Sequence, residues 1–558
     1  MPPALLTYII ARELTGRVTT EEEFRNRLRR FSRNSVVRLS SVLNLVLSNW
    51  AGDYDFDAHE KLARSFFPPP IATRIINSKR LAFHRHQLLF VAQQALRHCG
   101  DGAREMTPPY WGGFGVVLLM ASELLYTPVP HGGTPSEELA RKVCQILPDM
   151  EVNGIQSYQN KIARSYAMTS RFIEPFRGKA NFFDVSKLFE NAAGVPLETY
   201  QALLFGSVSR FTKLDDLKKS VNPADFAVPE GWFRNTTVSS ERIERFFEFV
   251  SGSAESFAKA VIEKKPNPND FTIFRDKPMF QEQGHFYPTD LSFLAEKFES
   301  GTFWRVHNSL QPSERANFHS FWGNVFESYI TWIMSSSVDG KTNRFCPDPK
   351  YAGRPTDQVS DGIVICGRSA VVIEYKSSTF TVAGKYGGDA AKLDSELKSK
   401  LVGTDEARKG VHQLADAVQK LCRQKDPDQV EGLDMYGITT VFPLIITRDD
   451  LGSAFYMNAY LNWHFQALIK GKRFLRSVTP LFCMSANDLE NLSPFLADTS
   501  LADILSARYK QDKKLMFSLW TVENAVLQRR GPRKSTLLNH EIEMLGAMIE
   551  TQLGLKEQ

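Results

Sequence analysis

The stretch "DGIVICGRSAVVIEYKSS", residues 361–378, constrains the fold of this chain more than any other. Two short β-branched runs flank Gly367-Arg368, the pattern of a β-hairpin with glycine at the first turn position. With a two-residue turn, Cys366 pairs with Ser369, and counting outward sets Asp361 opposite Glu374. Lys376 lies two residues beyond Glu374 and projects from the same face of its strand. A buried hairpin has no use for charges at these positions, and facing carboxylates repel. A hard cation between their oxygens removes the repulsion, and Mg2+ takes one or two carboxylates together with waters and phosphate oxygens. The expectation is a metal site suited to phosphate chemistry. A loop longer by one residue would flip one strand and break the pairing. The competing reading of Asp361 and Glu374 is a hairpin end with solvent-facing carboxylates, and that of Lys376 is a strand-edge guard against aggregation.

The 558 residues suggest three or four domains. With 42% hydrophobic and 23% charged residues, the composition is that of a soluble globular protein. A net charge of +5 does not by itself announce a nucleic-acid binder, so any such surface is local. The six cysteines show no CxxC spacing and several fall in apolar runs, which reads as reduced core residues. "MPPALLTYIIARELTG" lacks a basic segment before its apolar stretch, and "FGVVLLMASELLY" is too short to span a bilayer and holds Glu123. A cytoplasmic protein without membrane association is expected.

Residues 1–264 carry helical periodicity, as in "VVRLSSVLNLVLSNW" and "HQLLFVAQQALRH", and are read as a recognition or regulatory region. "KKPNPND" marks the clearest boundary, so residues 265–286 are assigned as a linker. Strands and helices alternate over 287–490, and 491–558 returns to helix as a tail. The fold class is therefore α+β and multidomain: a large helical N-terminal region, an α/β domain with a central mixed sheet, and a helical C-terminal tail. Pro443 and Pro480 are expected near a sheet edge or strand start. In "RNRLRRFSRNSVVR" (25–38) the arginines follow "EEE" at 21–23, which favours a salt-bridged, solvated helix face over a phosphate-binding strip.

Asp361 followed by Glu374-x-Lys376 on the second strand of a hairpin resembles the active site of the PD-(D/E)xK, or restriction-endonuclease-like, nucleases. Two flanking segments add to the likeness. "GNVFESYI" is similar to the helix that precedes the hairpin in that family and often supplies a glutamate, here Glu327. "KGVHQLADAVQKL" is similar to the helix that follows and often carries a glutamine, here Gln413. The resemblance spans about 311–485, and Ser360 stands where the proline of the family's name would be. It implies that Asp361, Glu374, the Tyr375 carbonyl and Glu327 hold Mg2+, or Mn2+ in its place, and that Asp361, Glu374, Lys376 and Gln413 are catalytic. At 100° per residue Glu327 lies nearly opposite the stripe of Phe321, Trp322, Val325, Tyr329 and Ile333, where a solvated glutamate fits as well as a ligand. Gln413 shares a polar face with Lys409 and Lys420, an arrangement that suits a phosphate backbone and also an ordinary exposed face. "AGKYGGD" reads as a mobile loop, with Lys385 as a phosphate contact.

The resemblance implies a metal-dependent endonuclease acting on nucleic acid, DNA ahead of RNA. Lys376 is assigned to orient water and stabilise phosphate charge rather than to act as base, because its ammonium stands beside two carboxylates. The rival reading is a nucleic-acid-binding or scaffold protein on an inactive nuclease fold. A helical half joined to a nuclease domain suggests a partner protein or a homo-oligomer contact through 1–264. By analogy with similar fusions, the setting is prokaryotic restriction or anti-phage defence.

Overall fold

The computed structural model describes residues 7–48, 56–107, 111–125, 132–153, 158–211, 222–519, 531 and 533–554. It is an α+β protein with mixed sheets. The elements that position the site are, in chain order, α1 (Pro135–Asn153), α2 (Tyr158–Ser170), α3 (Arg315–Ser337), β1 (Arg344–Pro347), β2 (Gly362–Cys366), β3 (Ser369–Lys376), α4 (Ala390–Leu397), α5 (Gly410–Cys422), β4 (Thr440–Thr447), α6 (Met457–Ile469), β5 (Ser477–Val478), β6 (Phe482–Ser485) and α7 (Thr536–Leu553).

The central sheet runs β5-β4-β3-β2-β1, with β6 also paired to β4. β1, β2 and β3 are antiparallel neighbours, whereas β4 runs parallel to β3 and to both β5 and β6. The β2–β3 turn has two residues, and Gly367 takes the left-handed φ of 58° that an L side chain adopts only at a cost. Pro443 sits inside central strand β4 rather than at an edge, which corrects the expectation. Its missing donor faces the gap where the neighbour changes from β5, paired at Val441, to β6, paired from Leu444. Pro480 precedes β6, as expected.

Alternation divides the sheet's side chains between two cores. Val371, Ile373 and Tyr375 join Phe442, Leu444 and Ile446 in the larger core, which also takes Phe321, Trp322, Val325 and Tyr329 of α3. Ala370 and Val372 join Val441 and Ile445 in the second, against Leu414, Val418 and Leu421 of α5 and Tyr460 and Phe465 of α6.

The segment 265–286 is not a linker. Phe271, Phe274, Met279, Phe280 and Phe286 are buried, and Met279–Glu282 and His285–Pro288 are strands of a second, four-stranded sheet. Its outer strands, Val228–Pro229 and Ser251–Ser253, come from the N-terminal half. Nor do the helical half and the tail stand apart. Val143 and Leu147 of α1 belong to the second core, and Leu538, Leu545 and Ile549 of α7 to the larger one. Asn343, fully buried before β1, ties the C-terminal part down: its amide donates to the carbonyls of Leu496 (2.5 Å) and Thr499 (2.8 Å), and its oxygen accepts from the Leu501 N–H (2.9 Å). The arginine-rich segment is salt-bridged: Arg25 pairs with Glu21 (2.5 Å), Arg27 with Glu23 (3.2 Å) and Arg38 with Glu282 (2.6 Å).

Candidate active site

The regular β2–β3 pairing ends at Gly362 opposite Ile373, one step short of Asp361 and Glu374. There Asp361 replaces the missing strand with its side chain. Its N–H donates to the Ile373 carbonyl (3.1 Å), and its carboxylate accepts from the Tyr375 N–H (2.6 Å). N–H and C=O of one strand residue point to the same side, so the Tyr375 carbonyl also faces the Asp361 edge. The carboxyl groups of Asp361 and Glu374 lie within hydrogen-bonding reach of each other. Lys376 Nζ donates to Glu374 Oε2 at 2.8 Å. The hairpin thus brings Asp361, Glu374 and Lys376 together.

Burial sets the electrostatics. Glu374 is 3% exposed, and burial, with Asp361 next to it, raises its pKa to about 7 against the pull of Lys376. Asp361 is raised as well, chiefly by burial, while Lys376 and the Tyr375 N–H hold it down. Both carboxyl groups are therefore more easily protonated than ordinary carboxylates, and a cation between them would relieve the same cost.

Helix α3 completes the surroundings. A Cβ added at Gly323 would meet the Ser377 hydroxyl at 2.9 Å, so the helix passes close over the end of β3. Glu327 is one turn further on the same face, and Thr331 one more turn, beside the Tyr375 hydroxyl. Glu327 is half-buried and feels Asp361, Lys376 and Asp348. Burial is again the main cause that raises its pKa to about 7. The face opposite the main hydrophobic stripe of α3 therefore borders the carboxylates. Asp348 was not singled out from the sequence. Its N–H donates to the Asp361 carbonyl at 3.1 Å, and its backbone takes a left-handed φ of 45°. The Pro-Asp-Pro turn signal at 347–349 was the available clue.

The remaining expected residues are placed elsewhere. Gln413 accepts from the Gly410 N–H (2.8 Å), satisfying a first-turn donor of its own helix, and among the described residues no hydrogen bond joins it to Asp361 or Glu374. Lys385 is not on an open loop: it belongs to the short helix Val382–Tyr386, is 8% exposed and is held by Asp449 at 3.0 Å. Lys420 pairs with Asp416 (2.9 Å) and lies over the Tyr351 ring. Lys409 alone of the three is exposed, at the N-cap of α5. Two of the three lysines expected to meet phosphate are thus paired with carboxylates, Lys385 with Asp449 and Lys420 with Asp416.

Among the described residues no group of three or more His, Cys, Asp or Glu side chains converges to hold a metal ion. The donors that fit one are fewer and all oxygen: Asp361, Glu374 and the Tyr375 carbonyl, with Glu327 nearby. Two carboxylates suffice for Mg2+, which keeps several waters and takes its remaining oxygens from substrate. Five of the six cysteines are buried, Cys346 is partly so, and all are free. No described helix is long and apolar enough to cross a membrane. The chain matches no family model, no curated protein and no solved structure.

Proposed function

We propose that this chain is a metal-dependent endonuclease of the PD-(D/E)xK kind that hydrolyses nucleic-acid phosphodiesters, DNA ahead of RNA. The observation that carries the reading is the buried, converging Asp361–Glu374 pair with Lys376 Nζ at 2.8 Å from Glu374. Asp361, Glu374 and the Tyr375 carbonyl are the residues that would hold Mg2+ or Mn2+, with Glu327 behind them. Such an ion polarises a phosphoryl oxygen and lowers the pKa of bound water. Lys376, held by Glu374, directs its remaining donors toward the phosphate and the attacking water. Asp361 is fixed by the Tyr375 N–H and so presents one oriented oxygen. Glu327, with its raised pKa, is suited to hold or accept a proton beside the site. A cytoplasmic defence enzyme, with a protein partner on its helical half, is the setting this proposal carries.

Cleavage of duplex DNA, single-stranded DNA and RNA, with Mg2+ and with chelator, tests the reading. Mg2+-dependent cleavage of DNA is expected. Absence of divalent-dependent cleavage of all three, with cell lysate added, would leave the inactive-scaffold reading as the better one.

A further inference from the structure

A cavity of about 700 Å3 lies beyond the carboxyl ends of β3 and β4, bounded by Thr379 and Phe380 after β3 and by Arg448, Asp449 and Asp450 after β4. None of Asp361, Glu374, Lys376 or Glu327 lines it. Most of its wall charges are matched. Lys161 pairs with Asp450 (2.7 Å), Arg275 with Glu296 (2.7 Å), Lys385 with Asp449 (3.0 Å) and Arg164 with Glu490 (2.6 Å). Lys297 donates to the Asp276 carbonyl (2.8 Å), and Arg448 is held only loosely. Its side chain is 10% exposed, yet its nearest carboxylate, Glu299, stands at 3.8 Å and makes its closer contact, 3.2 Å, with Arg164. Among the described residues the Arg448 guanidinium makes no hydrogen bond, and it lies over the Phe303 ring at 5.0 Å. The half-buried Arg448 guanidinium thus has N–H donors available to an anion in the cavity. Burial, and Arg164 nearby, lower its pKa against the pull of Glu299 and Asp449. Next to Phe303 the cavity wall carries Trp304, which leaves 41% of its surface exposed.

A flat aromatic surface and a guanidinium with available donors on the wall of one cavity complement a base joined to a phosphate. We infer that this cavity binds a nucleotide, its phosphate on Arg448 and its base against Trp304. The inference does not rest on hydrolysis at the hairpin, since the two sites share no side chain. The nucleotide is either free in solution or the 5′-phosphorylated end of a strand, and the chemistry at the cavity is the same.

The test uses the full chain in chelator, titrated with ATP, GTP, CTP and UTP, with adenosine, with pyrophosphate, and with a 5′-phosphorylated and a 5′-hydroxyl hexanucleotide. Tryptophan fluorescence and melting temperature are read in parallel. At least one nucleoside triphosphate or the 5′-phosphorylated strand is expected to quench fluorescence and raise the melting temperature. A response to the triphosphates assigns a free nucleotide, and a response confined to the 5′-phosphorylated hexanucleotide assigns a strand end. Arg448→Gln should weaken binding about tenfold or more. Trp304→Leu, at an exposed position and hence safe for folding, should remove most of the quenching and weaken binding as well. The inference is overturned if none of these probes binds at millimolar concentration, or if pyrophosphate binds as tightly as ATP and Trp304→Leu changes nothing. Binding that both substitutions leave unaltered overturns it too.

Discussion

Glu374 and Glu327 fix the pH behaviour at the scale of single residues. Both have folded-state pKa values near 7, above the ordinary carboxylate value. Between the two values the folded state binds more protons than the unfolded one, so stability falls as pH rises through that window. Without divalent ions the melting temperature should therefore decline from about pH 5 to about pH 7.5. Glu374→Gln, which keeps the neutral shape, should flatten the decline. Mg2+ added at about pH 8 should raise the wild-type melting temperature and leave the variant unaffected. A pH-independent melting curve in the wild type would remove the raised-carboxylate account. A second buried ion pair offers a contrast. Arg164 bonds Glu490 at 2.6 Å, and Tyr329 donates to the same carboxylate at 2.8 Å, with Glu490 fully buried. Arg164→Met strands that carboxylate, and chemical denaturation should report a loss of about 3–5 kcal/mol.

The hairpin was legible at the scale of elements because its information is local. Two β-branched runs and a glycine turn set the register from Cys366–Ser369 to Gly362–Ile373, and the charges follow by counting. Helix α3 was legible as a helix, whereas the use of its polar face was not. Periodicity ranks faces by hydrophobicity and says nothing about which polar face meets another element. Gly323, Glu327 and Thr331 share one face by their i, i+4 spacing, but that this face meets the site follows from the close approach at Ser377, a tertiary fact. Gly323→Ala should be tolerated, since the added methyl meets only the rotatable Ser377 hydroxyl. Gly323→Leu should push the helix off the strand end, costing about 1–3 kcal/mol by overpacking and lowering cleavage more than the stability loss explains. Equal effects of the two substitutions on cleavage would argue against a catalytic role for this approach. The partners of Gln413 and Lys385 were not legible for a related reason. A helix-start glutamine satisfies its own first turn, and a lysine in a glycine-rich stretch here finds Asp449, 64 residues away.

The division into domains was the least legible feature at the scale of the whole molecule. "KKPNPND" has the composition of a boundary, but the chain re-enters the core at Phe271 and then supplies two strands to a sheet begun by residues 228–253. Such pairings join segments distant in sequence, and local composition does not record them. The larger core draws on residues from Ile9 to Leu553. Residues 287–490 expressed alone should consequently lack fixed tertiary packing, visible as lost near-ultraviolet circular dichroism; a cooperative, native-like melt of that fragment would restore the separate-domain view.

The central claim is that the hairpin at 361–376 cleaves nucleic acid with a divalent ion. Single-turnover cleavage of duplex DNA across a Mg2+ titration, comparing wild type with Glu374→Ala and Lys376→Ala proteins of matched fold, tests it most directly. Mg2+-dependent cleavage is expected in the wild type, none with Glu374→Ala, and a loss of about 10²–10³-fold with Lys376→Ala. Cleavage that survives in Glu374→Ala at the wild-type rate would contradict it.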